Sequence, residues 1–172
     1  MAYEQKLNIQ RGPRSYHMIS YSVHYKFSQH FNFPAKEAYR WCTDYQPDDI
    51  ALMGAKGKRQ IQRINDDTFV LTDTFFGDGG KTVKKRLVRL YPECLFWTNT
   101  RLSADGRHSQ FLYQIIPDGK KGSRLDFTGS QVYYDDKKPT PARIASMAEE
   151  LAKEDSLGWK SLAKAMEKDL SR

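Results

Sequence analysis

The sequence predicts an α+β fold, a seven-stranded curved antiparallel sheet around a long C-terminal helix, with two short helices after the first strand. Three observations predict it. Residues 140–170 read as one helix, about 45 Å long at ~1.5 Å per residue. Residues 19–33 alternate apolar and polar side chains as one long strand does. From residue 57 to residue 134 a tight-turn signal recurs about every 8–15 residues, the mark of a β-meander. No other helical stretch is long enough to pack on the last helix, so its partner must be sheet.

Residues 1–17 carry Gln5, Asn8, Gln10, Arg11, Gly12, Pro13 and Arg14 with little periodic apolarity. They are expected to form an arm, flexible or laid over a sheet edge, ahead of a single domain at 18–172. In 19–33, Tyr21, Val23, Tyr25, Phe27, Phe31 and Phe33 share one face, and Ser22, His24, Lys26, Ser28, His30 and Asn32 the other, which is the pattern of a half-buried strand. Pro34 opens a short helix with Ala38, Trp41 and Cys42 on one side, and a second short helix over 47–53 ends at Gly54. Strands are expected at 58–64, 68–76, 81–91, 94–102, 108–116 and 123–134, separated by turns rich in Gly, Pro, Asn and Asp. Thr140 can cap the last helix and Pro141 suits its first position. Its apolar stripe, Ile144, Met147, Ala148, Leu151, Leu162, Ala165, Met166 and Leu170, is interrupted at Glu154, Asp155 and Gly158. A gap in a buried stripe is a candidate cavity wall.

A length of 172 residues suits one core, and the 13% aromatic content favours an aromatic-rich sheet or pocket. The net charge of +7 is spread along the chain without a block of like charges, which reads as a solvated basic surface. Lys81, Lys84, Lys85, Arg86 and Arg89 share a strand, yet no nucleic-acid-binding signature accompanies them, and nucleic acid is not an expected partner. Cys42 and Cys94 lie far apart and predict reduced thiols in a cytoplasmic protein. No membrane span or signal peptide is expected. His24 and His30 are about 20 Å apart along their strand at ~3.3 Å per residue, and His17 and His108 lie elsewhere, so no metal and no cofactor is expected.

The order of strand, two short helices, six meandering strands and a long terminal helix is the helix-grip arrangement. The sequence resembles the START/Bet v 1-like (SRPBCC) superfamily, in its polyketide cyclase/dehydrase-like branch. The resemblance is carried by the strand running into Phe33-Pro34-Ala35-Lys36-Glu37-Ala38-Tyr39-Arg40-Trp41, by Thr43-Asp44 after it, and by the terminal helix. It implies a hydrophobic ligand held between sheet and helix. It implies no catalytic residue, because the superfamily has no shared catalytic motif.

The residues themselves supply the candidates. Tyr25, Phe27, Phe111, Tyr113, Phe127, Tyr133 and Trp159 could line a pocket, with Met147, Leu151 and Asp155 from the helix. Asp155, Asp73 and Tyr113 are the candidates for acid/base chemistry, since a carboxylate on a buried face is costly unless paired, wet or functional. Asp73 alternates with Phe69, Leu71 and Phe75, so it is buried if they are. Asn99 beside Trp97, Gln131 beside Phe127 and Tyr133, and Lys85 with Arg89 carry the same ambiguity, because alternation tells which residues share a face and not which face is inside. The expected function is binding of a small hydrophobic or amphipathic ligand by a monomer or homodimer. The short helices and the loops at 77–80 and 103–107 would gate the pocket. A cofactor-independent cyclase or dehydratase and a co-chaperone-like interaction domain are the alternatives.

Overall fold

The computed structural model describes residues 7–11, 14–102 and 108–171. Its strands are β1 (Leu7–Arg11), β2 (Arg14–Phe31), β3 (Gly57–Asn65), β4 (Thr68–Gly77), β5 (Gly80–Tyr91), β6 (Phe96–Arg101), β7 (His108–Asp118) and β8 (Gly122–Asp135). The helices are α1 (Ala35–Thr43), α2 (Asp49–Leu52) and α3 (Pro141–Leu170). All strands form one antiparallel sheet in the order β1-β2-β8-β7-β6-β5-β4-β3.

The seven expected antiparallel strands are β2 to β8, with β3 to β8 forming the meander. An eighth is added from the residues read as an arm: Leu7–Arg11 folds back on Arg14 to Met18 and lengthens β2 towards its N-terminus. This segment belongs to the sheet through backbone pairing with its neighbour, which periodicity of the side chains alone does not reveal. The expected loop at 103–107 lies outside the described residues.

α1 starts on Pro34, whose carbonyl accepts from the Ala38 amide at 3.0 Å, and Ser123 of β8 ties the preceding Phe33 carbonyl at 2.8 Å. Its buried face, Ala38 and Tyr39, meets Trp97, Ile115 and Leu125 of the sheet, and this end of the molecule is filled core. Thr140 caps α3, its hydroxyl accepting from the Arg143 amide at 3.2 Å. α3 packs chiefly along β2. Near its C-terminus Met166 is fully buried, Trp41 of α1 donates to Asp169 at 3.2 Å, and Asn32 donates to Glu167 at 2.7 Å. Its middle touches the sheet through the Tyr25–Asp155 hydrogen bond and through Trp159 on Tyr113, and the space around these contacts is a cavity. Among the described residues no helix is long and apolar enough to cross a membrane.

Candidate functional site

Strand register lays out the inner face in rows. Leu90, Trp97, Tyr113, Phe127 and Phe27 form one row across β5, β6, β7, β8 and β2. The next holds Val88, Asn99, Phe111, Gly129 and Tyr25. In the third, Arg86 pairs with Arg101 and Ser109 with Gln131, and the neighbouring Thr100–Gln110 pair brings Arg101 beside Ser109. The floor therefore grades from an aromatic band to a polar band within three rows.

Above that floor and beneath α3 is a cavity of about 430 Å³. Glu154, Asp155 and Gly158, the gap in the helical stripe, all line it, together with Leu151, Trp159 and Leu162 of the same helix. Trp41 and Cys42 of α1 and Asp49 and Met53 of the α2 region close another side. At the aromatic band Trp97 stacks on Tyr113 with ring centroids 4.7 Å apart, Tyr113 meets Phe127 edge-on at 5.1 Å, and Trp159 reaches down from α3 to Tyr113 at 5.8 Å.

Of the residues proposed from sequence, Phe111, Tyr113, Phe127, Leu151, Asp155 and Trp159 line the cavity. Tyr25 stands behind Asp155 and reaches it by hydrogen bond. Phe27 is stacked on Phe127 at 4.5 Å, Tyr133 stacks on Tyr21 at 5.6 Å, and Met147 is partly buried further along the helix; these three are not among the lining residues. Asn99 and Gln131 face inward, while Lys85 and Arg89 lie exposed on the outer face. Arg101 and Ser109 were not singled out from sequence, and Arg86 was named only among the basic residues of its strand. Their signal was alternation with Val88, Trp97 and Phe111, and it could be read only once one buried residue in each strand was known.

Asp155 is the acceptor of a linked set of hydrogen bonds. Tyr25 donates to it at 2.6 Å, Gln131 donates to the Tyr25 hydroxyl at 3.2 Å, and Tyr133 donates to Gln131 at 3.0 Å. The Tyr25 ring lies over Gly129, where an added Cβ would fall 2.6 Å from ring carbons, so only glycine leaves room for this placement. Burial pushes the Asp155 carboxyl above the ordinary carboxylate range against the opposing hydrogen bond from Tyr25, and nearby Glu154 raises it further. Burial and the Asp155 charge also raise Tyr25, so the phenol keeps its proton and remains the donor. Tyr113 is pushed up to about 12, chiefly by burial.

Asp73 is fully buried. Arg59 reaches it with two nitrogens, at 2.8 and 3.1 Å, and Arg86 forms a further ion pair with it. Burial alone would raise Asp73, but the two guanidiniums outweigh it and hold the carboxyl below its usual range. Asp73 is thus a paired charge behind the cavity wall, a geometry suited to fixing arginines rather than to moving protons. Arg59 also pairs with Asp49 and lies over the Tyr45 ring, 5.6 Å from its centroid, which pins α2 to the sheet.

Arg59 is shared with Asp73, and Asp49 is pushed up to about 6, chiefly by burial, with Asp44, Asp48 and Asp73 adding to the rise. The folded state therefore binds this proton more tightly than the unfolded chain does. Its contribution to stability is fully present at low pH and is lost as pH rises from about 4, the unfolded value, to about 6. Urea titrations of wild type and Asp49→Asn at pH 4 and pH 7 are expected to show wild type losing ground to the variant at the higher pH. A constant difference would place the Asp49 titration outside this window.

The fold agrees with solved structures at low sequence identity. The Zhui aromatase/cyclase from Streptomyces sp. R1128 superposes with a TM-score of 0.69 at 13% identity, over 87% of this chain and 96% of that one. Ara h 8.0201 gives 0.65 at 12% identity, over 88% and 99%. This is the START/Bet v 1 helix-grip fold. A START superfamily protein from Mycobacterium smegmatis shares it, with a TM-score of 0.59 at 16% identity over 87% and 97% of the two chains. No family model matches the chain, and no curated protein matches it. In START/Bet v 1 terms, the cavity lies in the space between the gripping sheet and the gripped helix.

Proposed function

We propose that the protein binds a small amphipathic ligand with an aromatic or fused-ring body, non-covalently, between the sheet and α3. The observation that carries this reading is the cavity of about 430 Å³ whose floor passes from Trp97, Tyr113 and Phe127 to Arg86, Arg101, Ser109 and Gln131. A flat apolar body gains from the aromatic band, and a polar end avoids desolvation loss only at the other band. The solved structures of like fold that include aromatase/cyclases are in keeping with such a ligand. Native mass spectrometry of freshly purified protein, followed by denaturing extraction, is expected to release a discrete aromatic or amphipathic compound. Protein that is empty, and whose melting temperature is unmoved by fatty acids, sterols and flavonoids, would refute the binding function.

The Tyr25–Asp155 contact at 2.6 Å favours a second reading, a cofactor-independent cyclase or dehydratase. A carboxylate raised by burial, lining an aromatic cavity, is suited to taking a proton from carbon beside a carbonyl. On this reading Asp155→Asn abolishes turnover and leaves ligand affinity within about threefold, as expected of a group that acts on the transition state more than on the bound substrate. Equal turnover by the variant would remove Asp155 from any catalytic role.

A further inference from the structure

Three polar atoms on the cavity floor have no hydrogen-bond partner in the protein: Arg86 Nε, Asn99 Oδ1 and Ser109 Oγ. Asn99 and Ser109 are 3% and 5% exposed, and all three residues line the cavity. A buried polar atom without a partner costs free energy comparable to a lost hydrogen bond, and three on one floor call for a common partner. Their chemistry is complementary rather than alike. Arg86 Nε can only donate, and Asn99 Oδ1 can only accept; the hydroxyl of Ser109 does either.

Charge narrows the partner further. Arg59, Lys84, Arg86 and Arg101 line the cavity, as do Asp49, Glu154 and Asp155, and Asp73 sits behind on Arg59 and Arg86. Arg59 is paired with Asp49 and Asp73, and Arg86 with Asp73, so the guanidinium that offers Nε to the floor already has its counter-charge. A carboxylate brought to this floor would also set an acceptor against Asn99 Oδ1.

We infer that the polar end of the cavity selects a neutral ligand edge carrying a hydrogen-bond donor beside an acceptor, as in a primary amide or a hydroxyl next to a carbonyl. The acceptor meets Arg86 Nε, the donor meets Asn99 Oδ1, and Ser109 completes whichever bond remains. The inference rests on the proposed binding function and adds the chemistry of the ligand's polar edge.

Three probes with one aromatic body test it: 2-naphthamide, neutral with donor and acceptor; methyl 2-naphthoate, neutral with acceptors only; and 2-naphthoate, anionic with acceptors only. Isothermal titration of the full chain is expected to show the amide binding about tenfold or more tighter than either other probe. Asn99→Leu, close to isosteric, should bring the amide-to-ester ratio near one while the ester Kd stays within about threefold. Ser109→Ala should reduce the ratio part of the way, and it carries the test if Asn99→Leu fails to fold. Equal binding of amide and ester, tightest binding of the carboxylate, or a ratio unchanged in both variants would overturn the inference while leaving the binding function standing. Failure of all three probes to bind at millimolar concentration overturns both.

Discussion

Replacing Asp73 with alanine is expected to lower the unfolding free energy by about 3–5 kcal/mol. The carboxylate is fully buried and the Arg59 side chain is 3% exposed, so the substitution leaves a guanidinium out of water without its counter-charge. Arg86 loses the same partner. The cost therefore comes from stranded charge more than from lost packing. The double substitution Asp73→Leu with Arg59→Met removes both members of the main pair and should recover part of the loss, because apolar side chains of similar volume often replace buried ion pairs at little cost. Urea titration with a check that the m-value is unchanged measures both variants. A loss below about 1 kcal/mol for Asp73→Ala would mean that water from the cavity reaches the arginines and compensates them.

Filling the cavity from the helix should have the largest effect on binding. Gly158 lines the cavity in the middle of α3, and a Cβ built there meets no atom within 4 Å. Glycine inside a helix costs about 1 kcal/mol relative to alanine, so Gly158→Ala is expected to stabilise the protein by roughly 0.5–1 kcal/mol. Gly158→Phe keeps much of the backbone gain and places an aromatic ring in the ligand's space. It should lower affinity for any cavity ligand at least a hundredfold, while the melting temperature is held or raised. Stability and binding then move in opposite directions, which separates occupation of the cavity from damage to the fold. Undiminished binding by Gly158→Phe would move the ligand site away from α3.

The elements whose signals are local were legible in the sequence. Thr140 and Pro141 start α3 where they stand, and the Asn65-Asp66-Asp67 turn forms through Asn65, whose side chain accepts from the Asp67 amide at 3.1 Å. The break in the helical stripe at Glu154, Asp155 and Gly158 was legible as well, because a helix has one period and one buried face. The polar floor was not. Asp73 shares a face with Phe69 and Leu71, yet Val70 and Phe76 offer an equally apolar alternative on the other side, and only pairing with β3 and β5 decides between them. Once that face is fixed, Arg59 and Lys84 lie on either side of Asp73 by register, and Arg86 follows two residues after Lys84. The eighth strand is opaque for a related reason: its place is set by backbone hydrogen bonds, whose N–H donor every residue but proline carries.

All three tryptophans of the chain, Trp41, Trp97 and Trp159, line the cavity. They come from α1, β6 and α3, three elements far apart in sequence. The intrinsic fluorescence of this protein is consequently a readout of one place. A ligand arriving there alters the surroundings of every indole at once, with no silent background from tryptophans elsewhere, so emission intensity and wavelength follow occupancy without a label. The same arrangement gives unfolding curves recorded by tryptophan emission a local meaning. They report when the wall around the cavity comes apart, and comparison with circular dichroism at peptide wavelengths tells whether the sheet outlasts it.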